Sequence, residues 1–272
     1  MNEKVSVIMG VFNSEKSICK CIDSILSQTY KNIEFVICDD NSTDNTYQIL
    51  QDYQQKYSNI IVVRNKENKG LAYSLNKCLK NSSKESKYIA RMDGDDICID
   101  TRIEKQVSFL NNHTEYDVVG SARYLNDGTN DMKVTTVIEL PKKEDLKFGS
   151  PFAHPTIMIR KECLERLNGY QVLDRTLRGQ DLDLWFRFYA EGFQGYNLKE
   201  PLLIYHEDLK DYKKRTLKTA WMYFRTNLFG YRLLNFPLST YFYAFKPLIS
   251  AVLPNKIMMH YHRKEKWYGY KV

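Results

Sequence analysis

The chain has 272 residues, 27% charged and 43% hydrophobic, a balance that allows one substantial core and excludes wholesale disorder. Its formal charge of +7 is unevenly spread: residues 210–272 hold thirteen Lys or Arg against two acids, net +11, which leaves net −4 for residues 1–209. The six cysteines form no CxxC pair and the polar start Met1-Asn2-Glu3-Lys4 leaves no room for a secretory apolar region, so reduced thiols in a cytoplasmic protein are expected.

Val5-Ser6-Val7-Ile8-Met9 is apolar and β-branched and reads as a buried strand, broken by Gly10-Val11-Phe12-Asn13. Ser14 is placed to cap a helix whose apolar face is Ile18, Cys21, Ile22, Ile25 and Leu26. A second strand over 33–38 ends in Asp39-Asp40-Asn41-Ser42, and Thr43-Asp44 open a helix through Tyr47, Leu50 and Tyr53. A third strand over 60–64 runs into residues 65–70, followed by a helix with Leu71, Leu75, Cys78 and Leu79 on one side. The fourth strand, 87–91, delivers Met92-Asp93-Gly94-Asp95-Asp96.

Alternating strands and helices, with strands too apolar for a sheet wetted on one face, predict an α/β fold: a parallel sheet covered on both sides. Right-handed crossovers put the strands' carboxyl ends on one edge, so that Asn13, Asp40, Asn68 and Asp95 become neighbours where α/β sheets bind ligands. No GxGxxG or GxxxxGK[ST] marks a dinucleotide finger or a P-loop. Three carboxylates in four residues call for a hard divalent cation, and Gly94 is expected to let the chain turn tightly so that they converge. Asp40 could accept from a base N–H, Asp93 could bond ribose hydroxyls and Asp95 could hold Mg²⁺ or Mn²⁺ against a diphosphate. Competing structural readings stand beside these: a helix N-cap pair for Asp39 and Asp40, and a solvated acidic turn for 92–96.

The run from Lys4 to Met9 into Phe12-Asn13, then Asp39-Asp40-Asn41-Ser42-Thr43-Asp44, Asn68-Lys69-Gly70-Leu71-Ala72, Asp93-Gly94-Asp95-Asp96, His154-Pro155, Gly169-Tyr170 and Gln180-Asp181-Leu182-Asp183-Leu184-Trp185-Phe186-Arg187, closely resembles the family 2 glycosyltransferases. The resemblance covers residues 4 to 206. It implies an inverting enzyme with the GT-A fold, a mostly parallel Rossmann-like sheet flanked by helices, and a nucleotide-sugar donor, usually uridine diphosphate-linked. It puts Asp40 at the base, Asp93 at the ribose and Asp95 on Mn²⁺ or Mg²⁺. Val11, Phe12, Asn13, Asp39, Asn68, Gly70 and Gly94 complete the expected donor site. Gly10-Val11-Phe12 stands where Pro-Val-Tyr is frequent, Ser74-Leu75-Asn76 where Ala-Arg-Asn is frequent, and Gln180 where glutamate is frequent.

Inversion requires a carboxylate to take the proton of the acceptor hydroxyl, and Asp181 is the candidate base; as a plain helix N-terminal acid it would give stability only. Asp183 lies two residues on and faces another way, so one of the pair reaches the site. His154 and Gln180 are candidates for the acceptor pocket, with a hydrogen-bonded structural role as the alternative for His154. His206 stands where relatives sometimes present a histidine to the metal. The expected organisation is a catalytic domain over 1–206, its nucleotide-binding half 1–97 and acceptor half 98–206, with a helical extension over 207–272.

That extension sets Trp221, Tyr223, Phe224, Phe229, Tyr241, Phe242 and Phe245 among cations, and Lys246-Pro247 interrupts its apolar run. An amphipathic segment on an anionic membrane, followed by the basic cluster 260–267, is expected, with a helical cap on the catalytic domain as the alternative. No nucleic-acid motif accompanies the basic charge. Together these predict a cytoplasmic enzyme peripheral on the inner face of the cell membrane, acting on a lipid-linked or oligosaccharide acceptor in bacterial surface polysaccharide synthesis, with a homodimer left open. A sugar nucleotidyltransferase would want a glycine-rich, arginine-containing loop after the first strand, and a non-catalytic adaptor would have little use for Asp93, Asp95 and Asp181 together.

Overall fold

The computed structural model describes residues 3–126, 132–206 and 216–253. Its first part alternates strand and helix: β1 (Lys4–Val11), α1 (Ile18–Leu26), β2 (Ile33–Asp39), α2 (Thr46–Lys56), β3 (Ile60–Arg64), α3 (Leu71–Asn81) and β4 (Ser86–Arg91). β2 is buried at all seven positions, and Val5, Val7, Ile8 and Met9 of β1 are fully covered. Both faces of this sheet carry apolar cover, so its strands need no alternation and favour β-branched residues throughout.

The second part adds β5 (Ile97–Cys98), α4 (Arg102–Asn112), β6 (Val118–Asn126), β7 (Lys133–Val134), β8 (Met158–Arg160), α5 (Lys161–Arg166), α6 (Gln180–Ala190) and β9 (Gly195–His206). All the strands join one sheet in the order β3-β2-β1-β4-β8-β6-β9-β5, with β7 paired to β6. β1 to β4 are parallel, as are β6 and β9, whereas β8 runs antiparallel to both β4 and β6. No α-helix is described between β6 and β8, and a connection without a crossover helix returns the chain in the opposite sense. The parallel sheet therefore continues as a mixed one. Because two reversals cancel, β6 and β9 point the same way as β4, and their carboxyl ends share its edge.

Two local expectations are corrected. Ser14 does not cap α1, which starts at Ile18 after Ser17; the Ser14 N–H instead donates to Thr46 Oγ1 at 2.7 Å, tying the end of β1 to α2. Likewise α2 starts at Thr46, with Asp44 Oδ1 accepting from the Thr46 N–H at 3.0 Å.

The extension supplies α7 (Leu217–Leu233), a 3₁₀ helix Leu238–Phe245 and α8 (Lys246–Val252). Tyr231, Leu234 and Ala244 belong to the same apolar cluster as Ile8, Leu75, Trp185 and Phe186, so residues 216–253 pack onto the core of the sheet and share it. The expected boundary at 206/207 and the basic cluster 260–267 fall where residues 207–215 and 254–272 lie outside the described residues. Among the described residues no helix is long and apolar enough to cross a membrane.

Candidate active site

The parallel register aligns Val11 with Asp39, and Asp39 with Arg64, so the loops after β1, β2 and β3 meet on one edge. Asn13, at φ 51°, accepts from the Thr43 N–H at 2.9 Å and donates its own N–H to Ser42 Oγ at 3.0 Å, which stitches the first two loops together. Val11 is buried beneath them while the Phe12 ring is exposed on the edge, and Asn68 is exposed on the third loop.

The two acids after β2 are consumed by the protein. Asp39 is fully buried, pairs with Arg64 Nε at 3.0 Å and accepts from the Ser42 N–H. Asp40 accepts from Asn65 Nδ2 at 2.7 Å, the Lys69 N–H at 2.8 Å and the Gly70 N–H at 2.7 Å. A carboxylate offers about four lone-pair directions, and three of those on Asp40 hold the 65–70 loop and the start of α3 in place. Neither acid is an N-cap of α2, and Asp40 acts on the edge chiefly by shaping that loop.

The acids after β4 are arranged differently. One carboxylate oxygen from each of Asp93, Asp95 and Asp96 lies within 4.8 Å of the others. Asp96 is fully buried, accepts from the His206 N–H at 3.2 Å and leaves Oδ2 without a partner among the described residues. Burial, followed by the charges of Asp93 and Asp95, pushes its carboxyl up to about 8. An all-oxygen set of crowded carboxylates with an orphaned buried oxygen fits a hard divalent cation such as Mg²⁺ or Mn²⁺. His206 joins this group through its main chain, delivered by the carboxyl end of β9, and its imidazole is not among the clustered ligand atoms. Gly94 sits in the expected turn, which the Asp96 N–H closes on the Asp93 carbonyl at 3.4 Å; its φ is not positive, and its lack of a side chain matters further because a Cβ there would lie 2.8 Å from Val11 Cγ1.

Arg91, the buried last residue of β4, connects the acid cluster to the second half. It pairs with Asp93, and its charge reaches His154, Tyr170 and Asp181. His154, in a 3₁₀ turn, is hydrogen-bonded through Nε2 to the Tyr170 hydroxyl at 2.9 Å. Burial, and then Arg91, hold it well below the usual histidine range, so it is neutral at pH 7.

Asp181 sits in the first turn of α6, after Gln180 and after Gly179, whose φ of 82° suits glycine. Burial raises its pKa above the usual aspartate value, although the Leu182 N–H, Arg91 and the Ser150 hydroxyl pull it part of the way back. Asp183, two residues on, is a structural anchor: fully buried, it pairs with Arg175 and with Arg187 Nε, the latter at 2.8 Å. The two acids of this turn thus have different surroundings, two arginines for Asp183 and a desolvated environment for Asp181.

Three residues were missed. Arg91 ends the fourth strand and Tyr170 follows Gly169, each without an expected role, and a cation next to an acid cluster was the available signal for Arg91. Tyr223 carried no signal: it reaches the site because α7 lays its ring against Gly179, where a Cβ would meet Cε1 at 2.7 Å. Burial and Asp181 raise the Tyr223 hydroxyl's pKa.

Residues 6–167 match the model of the family described as Glycosyl transferase family 2. The chain belongs to that family. As a family 2 glycosyltransferase it is 43% identical to the putative glycosyltransferase EpsE of Bacillus subtilis, over 96% of this chain and 94% of that protein. It is 32% identical, over 72% of this chain and 74% of that protein, to the Escherichia coli UDP-Glc:alpha-D-GlcNAc-diphosphoundecaprenol beta-1,3-glucosyltransferase WfaP. S. aureus TarS 1-349 in complex with UDP-GlcNAc has the same fold at a TM-score of 0.64 and 19% identity, covering 92% of this chain and 82% of that one. The mannosyltransferase PcManGT of Pyrobaculum calidifontis, in complex with GDP-Man and Mn²⁺, also gives 0.64, at 16% identity over 96% and 79% of the two chains. The GT-A architecture expected from the sequence is therefore present, and the chain is a glycosyltransferase.

Proposed function

We propose that this family 2 glycosyltransferase transfers a sugar with inversion from a nucleoside diphosphate donor, UDP-linked, to a hydroxyl of a lipid-linked saccharide. The observation that carries the reading is the convergence, around Arg91 and Tyr170, of the acid cluster after β4 and the recessed Asp181 of α6. Donor and base would then act on either side of Arg91 and Tyr170.

In this reading the loops after β1, β2 and β3 receive the nucleoside. Phe12 offers a ring face, Asp40 and Asn68 border the base, and Asp93 faces the ribose, with Arg91 fixing the Asp93 carboxylate. Asp95 and Asp96, with Asp93, would hold Mn²⁺ or Mg²⁺, and the His206 main chain steadies Asp96. A cation held there supplies charge neutralisation for the diphosphate as it leaves. Asp181 takes the proton of the acceptor hydroxyl while that oxygen bonds to the anomeric carbon and the carbon–oxygen bond to the diphosphate breaks. Its burial suits the task, since a base with a raised pKa accepts a proton more readily. His154 and Gln180 line the acceptor side.

The activity in the name of the E. coli relative supports a diphosphate-lipid-linked acceptor, and with it a place in bacterial surface polysaccharide synthesis on the inner face of the membrane. The test is to incubate the protein and Mn²⁺ with a panel of nucleotide sugars. Slow release of nucleoside diphosphate, stopped by EDTA, is expected. Pyrophosphate release would indicate a nucleotidyltransferase instead, and absence of any binding would leave a non-catalytic role.

A further inference from the structure

The described extension has two unlike faces. Its inner face is clamped to the segment that carries Asp181. Gly230 lies against the Phe186 ring so closely that a Cβ would sit 2.1 Å from it, and Thr226 Oγ1 donates to the Arg175 carbonyl at 2.9 Å. Arg175 stacks over Phe229 at 3.9 Å.

The outer face is uncovered among the described residues. Leu238, Phe242, Phe245, Ile249 and Val252 are 83%, 79%, 47%, 60% and 74% exposed. Phe242 and Phe245 lie one turn apart in the 3₁₀ helix, and Ile249 and Val252 lie about one turn apart in α8, which follows it directly, so exposed apolar side chains succeed one another as a stripe that Leu238 begins. Exposed Trp221 and Tyr243 flank it, and Lys147 stands over the Tyr243 ring at 5.8 Å. Residues 216–253 contain four Lys or Arg and no Asp or Glu.

We propose that this stripe is a bilayer-docking surface, resting on anionic lipid with its apolar side chains among the acyl chains and its cations at the headgroups. The charge decides between occupants. A second copy would bring two acid-free basic surfaces together, and residues 254–272 of this chain carry five Lys or Arg against one Glu, so neither supplies counter-charge. An anionic leaflet supplies both the apolar phase and the negative charge, and aromatic side chains with one polar end favour its boundary. Among the described residues no helix is long and apolar enough to cross a membrane, and the contact proposed is a lateral one. Because α7 also lays Tyr223 against Gly179, docking fixes the orientation of the Asp181 pocket relative to the lipid surface.

The surface depends on the lipid-linked acceptor reading for its purpose only, since vesicle binding needs neither donor nor acceptor. The full chain is floated with vesicles of phosphatidylcholine, alone or with about one-third phosphatidylglycerol. Binding to the anionic vesicles, weakened by salt, is expected. Replacing both exposed apolar anchors, Phe242→Glu with Ile249→Glu, should lower the partition coefficient at least about tenfold at unchanged circular dichroism, while Phe242→Leu with Ile249→Leu retains it. Three results would overturn the proposal: no binding of the parent chain, undiminished binding of the Glu pair, or a dimer that the Glu pair dissociates without any vesicle binding. A protein that binds vesicles through this stripe and yet transfers to no lipid-linked acceptor keeps the surface and removes the acceptor reading.

Discussion

Adjacent aspartates stand at the end of β2 and in the loop after β4, and the fold uses the two pairs in opposite ways. Asp39 and Asp40 receive their hydrogen-bond donors from the protein itself: Arg64 and the Ser42 N–H for one, Asn65 and two main-chain N–H groups for the other. Asp95 and Asp96 gather instead with Asp93, and Asp96 keeps a buried oxygen without a partner among the described residues at a pKa pushed up to about 8. A carboxylate saturated from within shapes a loop, whereas a crowded one whose charge burial opposes is prepared for a cation. α6 repeats the division within one turn, with Asp183 held by two arginines and Asp181 raised by burial.

The largest expected effect falls on Asp181. Asp181→Asn should lower sugar transfer by about 10²–10⁴-fold with donor affinity nearly unchanged, measured as product formed against nucleotide bound. Wild-type kcat should also rise with pH along an acid limb whose midpoint lies above the ordinary aspartate range, because burial is what raises this carboxyl.

Stability separates the same pair of acids. Asp183→Ala leaves the largely covered Arg175 and Arg187 without their buried counter-charge and should cost about 3 kcal/mol in urea unfolding. Asp181 behaves with the opposite sign. Its folded-state pKa is raised, so its contribution is fully present below about pH 4 and is lost as pH climbs through the folded value. Asp181→Asn removes that loss, and the variant should be at least as stable as the parent at neutral pH.

A smaller effect sharpens the contrast after β2. Asp40→Asn turns an N–H₂ toward one of the donors that now bond the carboxylate, which should cost about 1–3 kcal/mol and raise the donor KM through the 65–70 loop. The smallest is Tyr223→Phe, which should raise the acceptor KM by about fivefold, equivalent to ~1 kcal/mol, and leave donor hydrolysis unchanged.

The parallel strands, their shared edge and the acid cluster were legible because apolar runs and strand-end acids are local signals. The reversal of β8 was not, since three residues carry no periodicity that fixes direction. Sequence treated Asp40 as an open acceptor because the donors that fill it come from 25 to 30 residues away. Gly94 forms the turn its place in the acid run suggests, and only its packing against β1 adds the close approach to Val11. His206 lay near its expected place, but the strand brings its main chain to the cluster and not its ring. For Tyr223, a helical cap was one of two readings of the extension, but no pattern in the chain placed that cap at the start of α6.

The division between the two aspartate pairs is tested most directly by titrating Mn²⁺ against the protein by paramagnetic resonance. Asp40→Asn should bind the ion with parental affinity, and Asp96→Asn should bind it at least about tenfold more weakly. Parental affinity in the Asp96 variant, or loss of the ion in the Asp40 variant, would contradict the assignment of the cation to the cluster after β4.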